Sequence, residues 1–471
     1  MGARVKRLLS VLLLAVAFLV VATAPANAAT PTIPDEPFTG TSTPAGDWII
    51  SGLNWTPCLT AATSSAVGSI PACPAGPLDP VGDGALRLTE TDVEGGIAIL
   101  NTPIDTSLGL QIEFDFFQYN TSSPGDGMAF VLIDGAASPT QAGAYGGGMG
   151  YASYNPNGIP GLVGGYVGVA FDTYGAFSDP AIGGGGPGVF TPNAITVRGD
   201  EGSDYYFISS HVAGGQIAEP TATDRDDAVR HVVVTISKLN VMSIAVDYGA
   251  GLVVEEAGIN LETVNGVGSL PASLKLGFTG STGGAYSIHE IRNFEIQTLA
   301  PNLSLSLSAG SVDQDTGTAL IAALVTNTAT TGATDGLITV TSTLPAGVSA
   351  LTAMGTGWTC SIVGQLVTCT RQGTGADRLA AGEAAPPIAI EVLVAKAAAL
   401  PVTIVATVSV LDDSSATNNS GSVQLTTLAL AATGVSPQPL AVAAALLLAG
   451  VGAALLVRRK VLANYSARLS I

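Results

Sequence analysis

LQIEFDFFQY (110–119), followed across an Asn, Pro and Gly break by GMAFVLIDG (127–135), is the stretch whose reading decides the fold. Both segments read as alternating, the period of a half-buried β-strand. Alternation of the same kind runs through ALRLTETD (85–92) and GIAILNTPID (96–105), and again through GYVGVAFDTY (165–174), AITVRG (194–199), RHVVVTISK (230–238), MSIAVDYG (242–249), SLKLGFTG (273–280) and IRNFEIQT (291–298). Gly, Pro, Asn and Asp mark the breaks, as tight turns require. Residues 29–299 therefore predict one large all-β domain of two packed sheets. A break at Ala300-Pro301 opens a second strand-rich segment, 300–427, whose size suits an immunoglobulin-like sandwich.

The chain ends set the compartment. Arg4, Lys6 and Arg7 precede an apolar run and the small-residue pattern Ala26-Asn27-Ala28, which predicts a signal peptide over 1–28. An uncharged apolar stretch followed by Arg458, Arg459 and Lys460 predicts one transmembrane helix over 437–457 and a basic cytoplasmic tail over 458–471. The body is then extracellular and held at the cell surface. Between these ends lie 10 basic and all 36 acidic residues, a net charge of −26. No basic footprint exists for nucleic acid or an anionic lipid surface. In an exported chain the two local cysteine pairs predict disulfides Cys58–Cys73 and Cys360–Cys369, other pairings being formally open.

The glycine-rich stretches AGAYGGGMGYA (142–152) and AIGGGGPG (181–188) lack the Lys-Ser/Thr that ends a phosphate cradle, so they read as loops permitting close backbone approach. Five ordered landmarks carry a family resemblance: GDGMAFVLIDG (125–135), GGGMGYA (146–152), GLVGGYVGVAFDTYGAFSD (161–179), NAITVRG (193–199) and LPASLKLGFTGSTGGAYSIHEIRNFEI (270–296). Together they resemble bacterial L-type, legume-lectin-like domains. That resemblance implies a concanavalin-like jelly roll with glycans as partners and a sugar site on loops at one edge. Asp126, preceded by a cis peptide, would hold sugar hydroxyls; a carboxylate accepts two at once. Gly148 would offer a backbone N–H, Tyr174 a ring, and Gly283 and Gly284 the loop that tunes sugar choice. Calcium would be held by Asp172, Asp179 and the Tyr174 carbonyl.

The chain departs from the family at two positions. Ala176 stands where the family has an Asn bridging calcium and sugar, and Ala170 where an acid helps bind a second, transition metal. A single weakened calcium site and no second metal follow from the resemblance; the plainer alternative is that Asp172 and Asp179 cap turns. His289 reads as a packed residue. A glycoside hydrolase is the rival class, since EFDFFQ places Glu113 and Asp115 on one strand face, but Gln118 stands where the proton-donating acid would be required. Binding without catalysis is therefore expected, with a sugar-silent structural protein as the further alternative.

The segment 300–427 resembles the DUF11 repeats of bacterial surface proteins through TNTATTGATDGLITVTSTLPAGVSAL (326–351), GTGWTCSIVGQLVTCTR (355–371) and ATVSVLDDSSATNN (406–419), which implies a stalk. Asp412, Asp413, Asn418 and Asn419 there are either calcium ligands or a polar loop. Within 428–436, Leu430-Ala431-Ala432-Thr433-Gly434 resembles an LAxTG sortase signal, implying cleavage between Thr433 and Gly434 and attachment to peptidoglycan. Retention as a transmembrane protein is the alternative.

Overall fold

The structure, a computed structural model, describes residues 35–43, 47–63, 70–121, 123–329 and 332–427. The expected signal peptide, the sorting motif with Thr433 and Gly434, the membrane helix and the basic tail lie outside the described residues. The described chain is all-β. Its strands are antiparallel, and its only helices are single 3₁₀ turns among the described residues.

Two seven-stranded sheets form the first part. One runs in the order Trp48–Leu53, Gly95–Leu100, Leu274–Ser281, Gly127–Asp134, Gly165–Asp172, Ala194–Arg198, Phe207–Val212. The other runs Leu252–Asn260, Val241–Asp247, Val229–Ile236, Leu110–Tyr119, Ile288–Thr298, Leu86–Thr89, Cys58–Leu59. Alternation in Leu110–Tyr119 turns Ile112, Phe114 and Phe116 inward and leaves Glu113 and Asp115 half-buried on the opposite face. The inward rings meet the facing sheet: Phe114 lies 5.5 Å from Phe130 and 5.0 Å from Phe278, and Phe116 lies 4.5 Å from Phe171.

The strand Gly127–Asp134 is buried at every position but its last, and Gly165–Asp172 is buried throughout. The cause is a second apolar layer behind the first sheet, where Met149, Tyr151, Leu162, Phe177, Ile182 and Tyr205 cover Ala129, Val131 and Ala170. A strand covered on both faces reads as a continuous apolar run rather than an alternating one. The covering segments belong to the loops that carry the candidate site.

Residues 303–425 form two further sheets of four and five strands around their own core, in which Ile338, Val340, Ile388, Ile390 and Val392 are buried. Both expected disulfides are present. Cys360 and Cys369 face one another across the hairpin of Thr359–Val363 and Leu366–Gln372. Cys58–Cys73 closes a loop of 15 residues, and such a loop restrains the unfolded chain by about 3 kcal/mol. Replacing both Cys58 and Cys73 with Ser is expected to lower unfolding free energy by about that amount, read by chemical denaturation.

Candidate functional site

Register brings three segments to one end of the first sheet. Gly127 pairs with Ser281 on one neighbour and with Asp172 on the other, so the residues just beyond these three points emerge side by side. Asp126 is stitched between them: its N–H donates to Ser281 O at 3.2 Å, and its carbonyl accepts from Thr173 N at 3.0 Å and Tyr174 N at 3.2 Å. The Gly125–Asp126 peptide is cis, as the family resemblance implies. Both flanking glycines are sterically required. A Cβ on Gly127, at φ +155°, would lie 2.5 Å from Phe171 O, and one on Gly125 would lie 2.8 Å from Ala285 Cβ.

The Asp126 side chain is 6% exposed, and its Oδ2 is buried without a hydrogen-bond partner. Burial pushes the carboxyl up to about 7, with the Gly283 backbone amide offsetting a part. Two glycines lie close to it: a Cβ on Gly283 would come within 3.0 Å of Oδ2 and one on Gly146 within 3.7 Å. Gly148 lies deeper. It is buried against Ala144, and its carbonyl accepts from Tyr151 and Ala152. A Cβ on Gly284 would meet open space.

Tyr174, whose N–H donates to the Asp126 carbonyl, and Phe190 stand at the surface, 45% and 51% exposed, with ring centroids 5.8 Å apart. Phe190 also walls an open cleft of about 430 Å³ together with Tyr145, Tyr154, Asn157, Ala176 and Asp179. Gly147 is bare for a packing reason. A Cβ on the facing Gly147 would lie 2.8 Å from the Ala176 Cβ, so the two loops approach at closest range.

Asp172 is fully buried and used by its own turn: Oδ1 accepts from Gly175 N at 2.6 Å and Oδ2 from Phe177 N at 2.8 Å. Burial raises this carboxyl to about 7, the two amides pull it down, and the neighbouring Asp126 charge pushes it up. Asp179 is half-buried, with Oδ1 accepting from Ala181 N at 2.7 Å. These residues do not fit the calcium site that the resemblance implies. Calcium takes six to eight oxygens, whereas Asp172 has both oxygens in backbone hydrogen bonds, Ala176 offers no side-chain oxygen, and the described residues contain no group of three acidic or other metal-ligating side chains. Ala170 packs in the apolar layer behind the sheet.

The residues considered for hydrolysis do not converge. Glu113 and Asp115 face outward onto His231, whose Nδ1 lies 2.9 Å from Asp115 and whose Nε2 lies 3.5 Å from Glu113. Gln118 turns inward, donating to Phe171 O at 2.9 Å and accepting from Thr173 Oγ1 at 2.6 Å. His289 is fully buried with Nδ1 2.7 Å from Thr89 Oγ1, and burial depresses its imidazolium to about 3. Neighbouring Glu290 is the centre of a buried ion network absent from the sequence reading, with Arg87 Nε at 2.9 Å and Arg225 Nε at 2.6 Å. In the second part of the chain, Asp412 pairs with Lys238 at 2.8 Å, and Asp413 accepts from Leu303 N and Ser415 N.

No protein-family model and no curated protein matches the chain. Among solved structures, peanut lectin bound to a nine-residue peptide is 18% identical, covering 53% of this chain and 97% of that one at a TM-score of 0.33. Lectin II from Ulex europaeus is 18% identical, covering 56% of this chain and 97% of its own at a TM-score of 0.36. The exoplasmic/lumenal domain of VIP36, in a calcium- and Man3GlcNAc-bound form, is 16% identical, covering 46% and 78% at a TM-score of 0.31.

Proposed function

We propose that the chain is a cell-surface carbohydrate-binding protein that recognises a glycan at Asp126 without cleaving it. The observation that carries this reading is the Asp126 carboxylate: nine-tenths buried, close to Gly146 and Gly283, with an Oδ2 that makes no hydrogen bond and only the Gly283 amide acting on the carboxyl. A buried acceptor left open is costly unless something fills it, and sugar hydroxyls are donors of the right kind. The exposed rings of Tyr174, which meets Asp126 through its backbone, and of Phe190 offer apolar faces for the C–H side of a pyranose. Gly283 and Gly284 form the adjoining rim, and Gly148 supports the glycine turn from beneath.

In this reading the lectin domain, 29–299, stands on a DUF11-like, immunoglobulin-type stalk, 300–427. The exported chain is joined to peptidoglycan through cleavage between Thr433 and Gly434, or held by the membrane helix over 437–457. A printed array of plant, animal and microbial oligosaccharides probed with the full-length protein tests the reading; a defined set of bound glycans is expected, and a silent array counts against it. Phe190→Ala is expected to weaken binding of an array hit about tenfold, equivalent to about 1.4 kcal/mol, by calorimetric titration.

A further inference from the structure

The loop 175–186 walls the cleft that Phe190 and Tyr145 also line, and the side chain that shapes it comes from the neighbouring strand. Arg198 ends the strand Ala194–Arg198 and is fully buried. Its Nε donates to Phe177 O at 2.7 Å, Nη1 to Tyr205 O at 3.0 Å, and Nη2 to Asp179 O at 3.0 Å and Gly185 O at 3.1 Å. The guanidinium also lies over the Phe177 and Phe207 rings, at 5.4 and 5.8 Å. Among the described residues none of its hydrogen bonds goes to a carboxylate. Four convergent backbone carbonyls around one buried positive charge are the arrangement by which proteins hold a cation.

Asp172 completes the grip from the opposite sign. Its carboxylate holds the Gly175 and Phe177 amides, so Phe177 is fixed at its N–H by an anion and at its C=O by a cation. Burial lowers the Arg198 guanidinium to about 10, and Asp204, Asp179 and Asp172 act against that loss. We propose that Arg198 is the positioning residue of this site and takes the place of a metal ion, its guanidinium tying the loop 175–186 into shape so that the cleft needs no divalent cation. Lysine cannot do the same work, because its ammonium has no planar fork to reach four carbonyls at fixed angles.

The inference rests on the proposed function only for the cleft's use; its test uses no sugar, so a silent glycan array leaves it standing. The full-length protein is melted in calcium chloride and in EDTA, and backbone amide exchange is followed for wild type and Arg198→Lys. Calcium and chelator are each expected to move the wild-type Tm by less than about 1 °C, whereas a site of about 10 µM affinity would add several degrees at about 1 mM calcium. Exchange across 176–186 is expected to rise at least about tenfold in Arg198→Lys, with the sheet strands unchanged. A calcium-raised or chelator-lowered Tm overturns the proposal, as does wild-type protection of the loop in Arg198→Lys. If that variant does not fold, the wild-type calcium titration decides alone.

Discussion

Asp126→Asn is expected to abolish glycan binding while making the protein more stable above pH 7. Two hydroxyl hydrogen bonds to a carboxylate contribute about 1.5–3 kcal/mol each, so their loss weakens binding by about 100-fold or more. The stability effect has its origin in the same burial. The folded carboxyl titrates near 7 against 3.8 when unperturbed, so the folded state holds the proton more tightly than the unfolded chain. Its contribution is complete below about pH 4 and is lost as pH rises through 7, by up to about 4 kcal/mol. A neutral amide never pays that desolvation. Calorimetric melting at pH 5 and pH 8 reads the difference: the variant's Tm exceeds wild type by several degrees at pH 8 and approaches it at pH 5. Equal Tm values at pH 8 would show that the carboxylate is already satisfied in the free protein.

Glu290→Gln is expected to produce the largest loss of stability. Glu290 is fully buried and receives Arg87 Nε at 2.9 Å, Arg225 Nε at 2.6 Å and Nη2 at 3.0 Å, and the Tyr119 hydroxyl at 3.0 Å. Arg225 reaches on to Asp79 at 2.9 Å and to Asp83 O at 3.0 Å, so one carboxylate anchors two loops against the second sheet. The flanking cations hold Glu290 below the ordinary carboxylate range despite its burial. Glutamine preserves shape but leaves two buried guanidinium groups short of their counter-ion, a change that costs about 3–5 kcal/mol. A fall in Tm of about 10 °C is expected. Lys238→Ala breaks the pair with Asp412, in which both side chains are about one-third exposed, and is expected to cost less than about 1 kcal/mol.

The strand Leu110–Tyr119 shows what sequence can reveal. Its alternation assigns Ile112 and Phe114 to the core and Glu113 and Asp115 to the other face, because a half-buried strand writes its environment into every second residue. Gly127–Asp134 was readable as a strand, yet not as one covered twice, since the covering side chains, from Met149 to Tyr205, come from several later segments with no periodicity. Asp126 was legible through the residues around it, and the cysteine pairs through their closeness. Arg198 and Glu290 were not: Arg198 is held by backbone carbonyls of irregular loops, the partners of Glu290 come from segments up to 203 residues distant, and a lone charge in TVRG or IHEI carries no mark of burial. Phe190 stands between Gly188 and Pro192 and belongs to no strand pattern or motif, so nothing in the sequence singles it out. The run Gly146-Gly147-Gly148 gave no sign of which glycine meets Asp126, because that depends on where the turn places each carbon.

The central claim is that Asp126 is an open acceptor for sugar hydroxyls, and the direct measurement is calorimetric titration of an array-selected oligosaccharide into wild type and Asp126→Asn. The titrations are run near pH 7 in two buffers of different ionisation heat. Saturable binding with release of about half a proton by the wild type, as the carboxyl ionises to receive its donors, and no binding by the variant, are the results expected. Equal affinity of the two proteins, without proton release, would contradict the account.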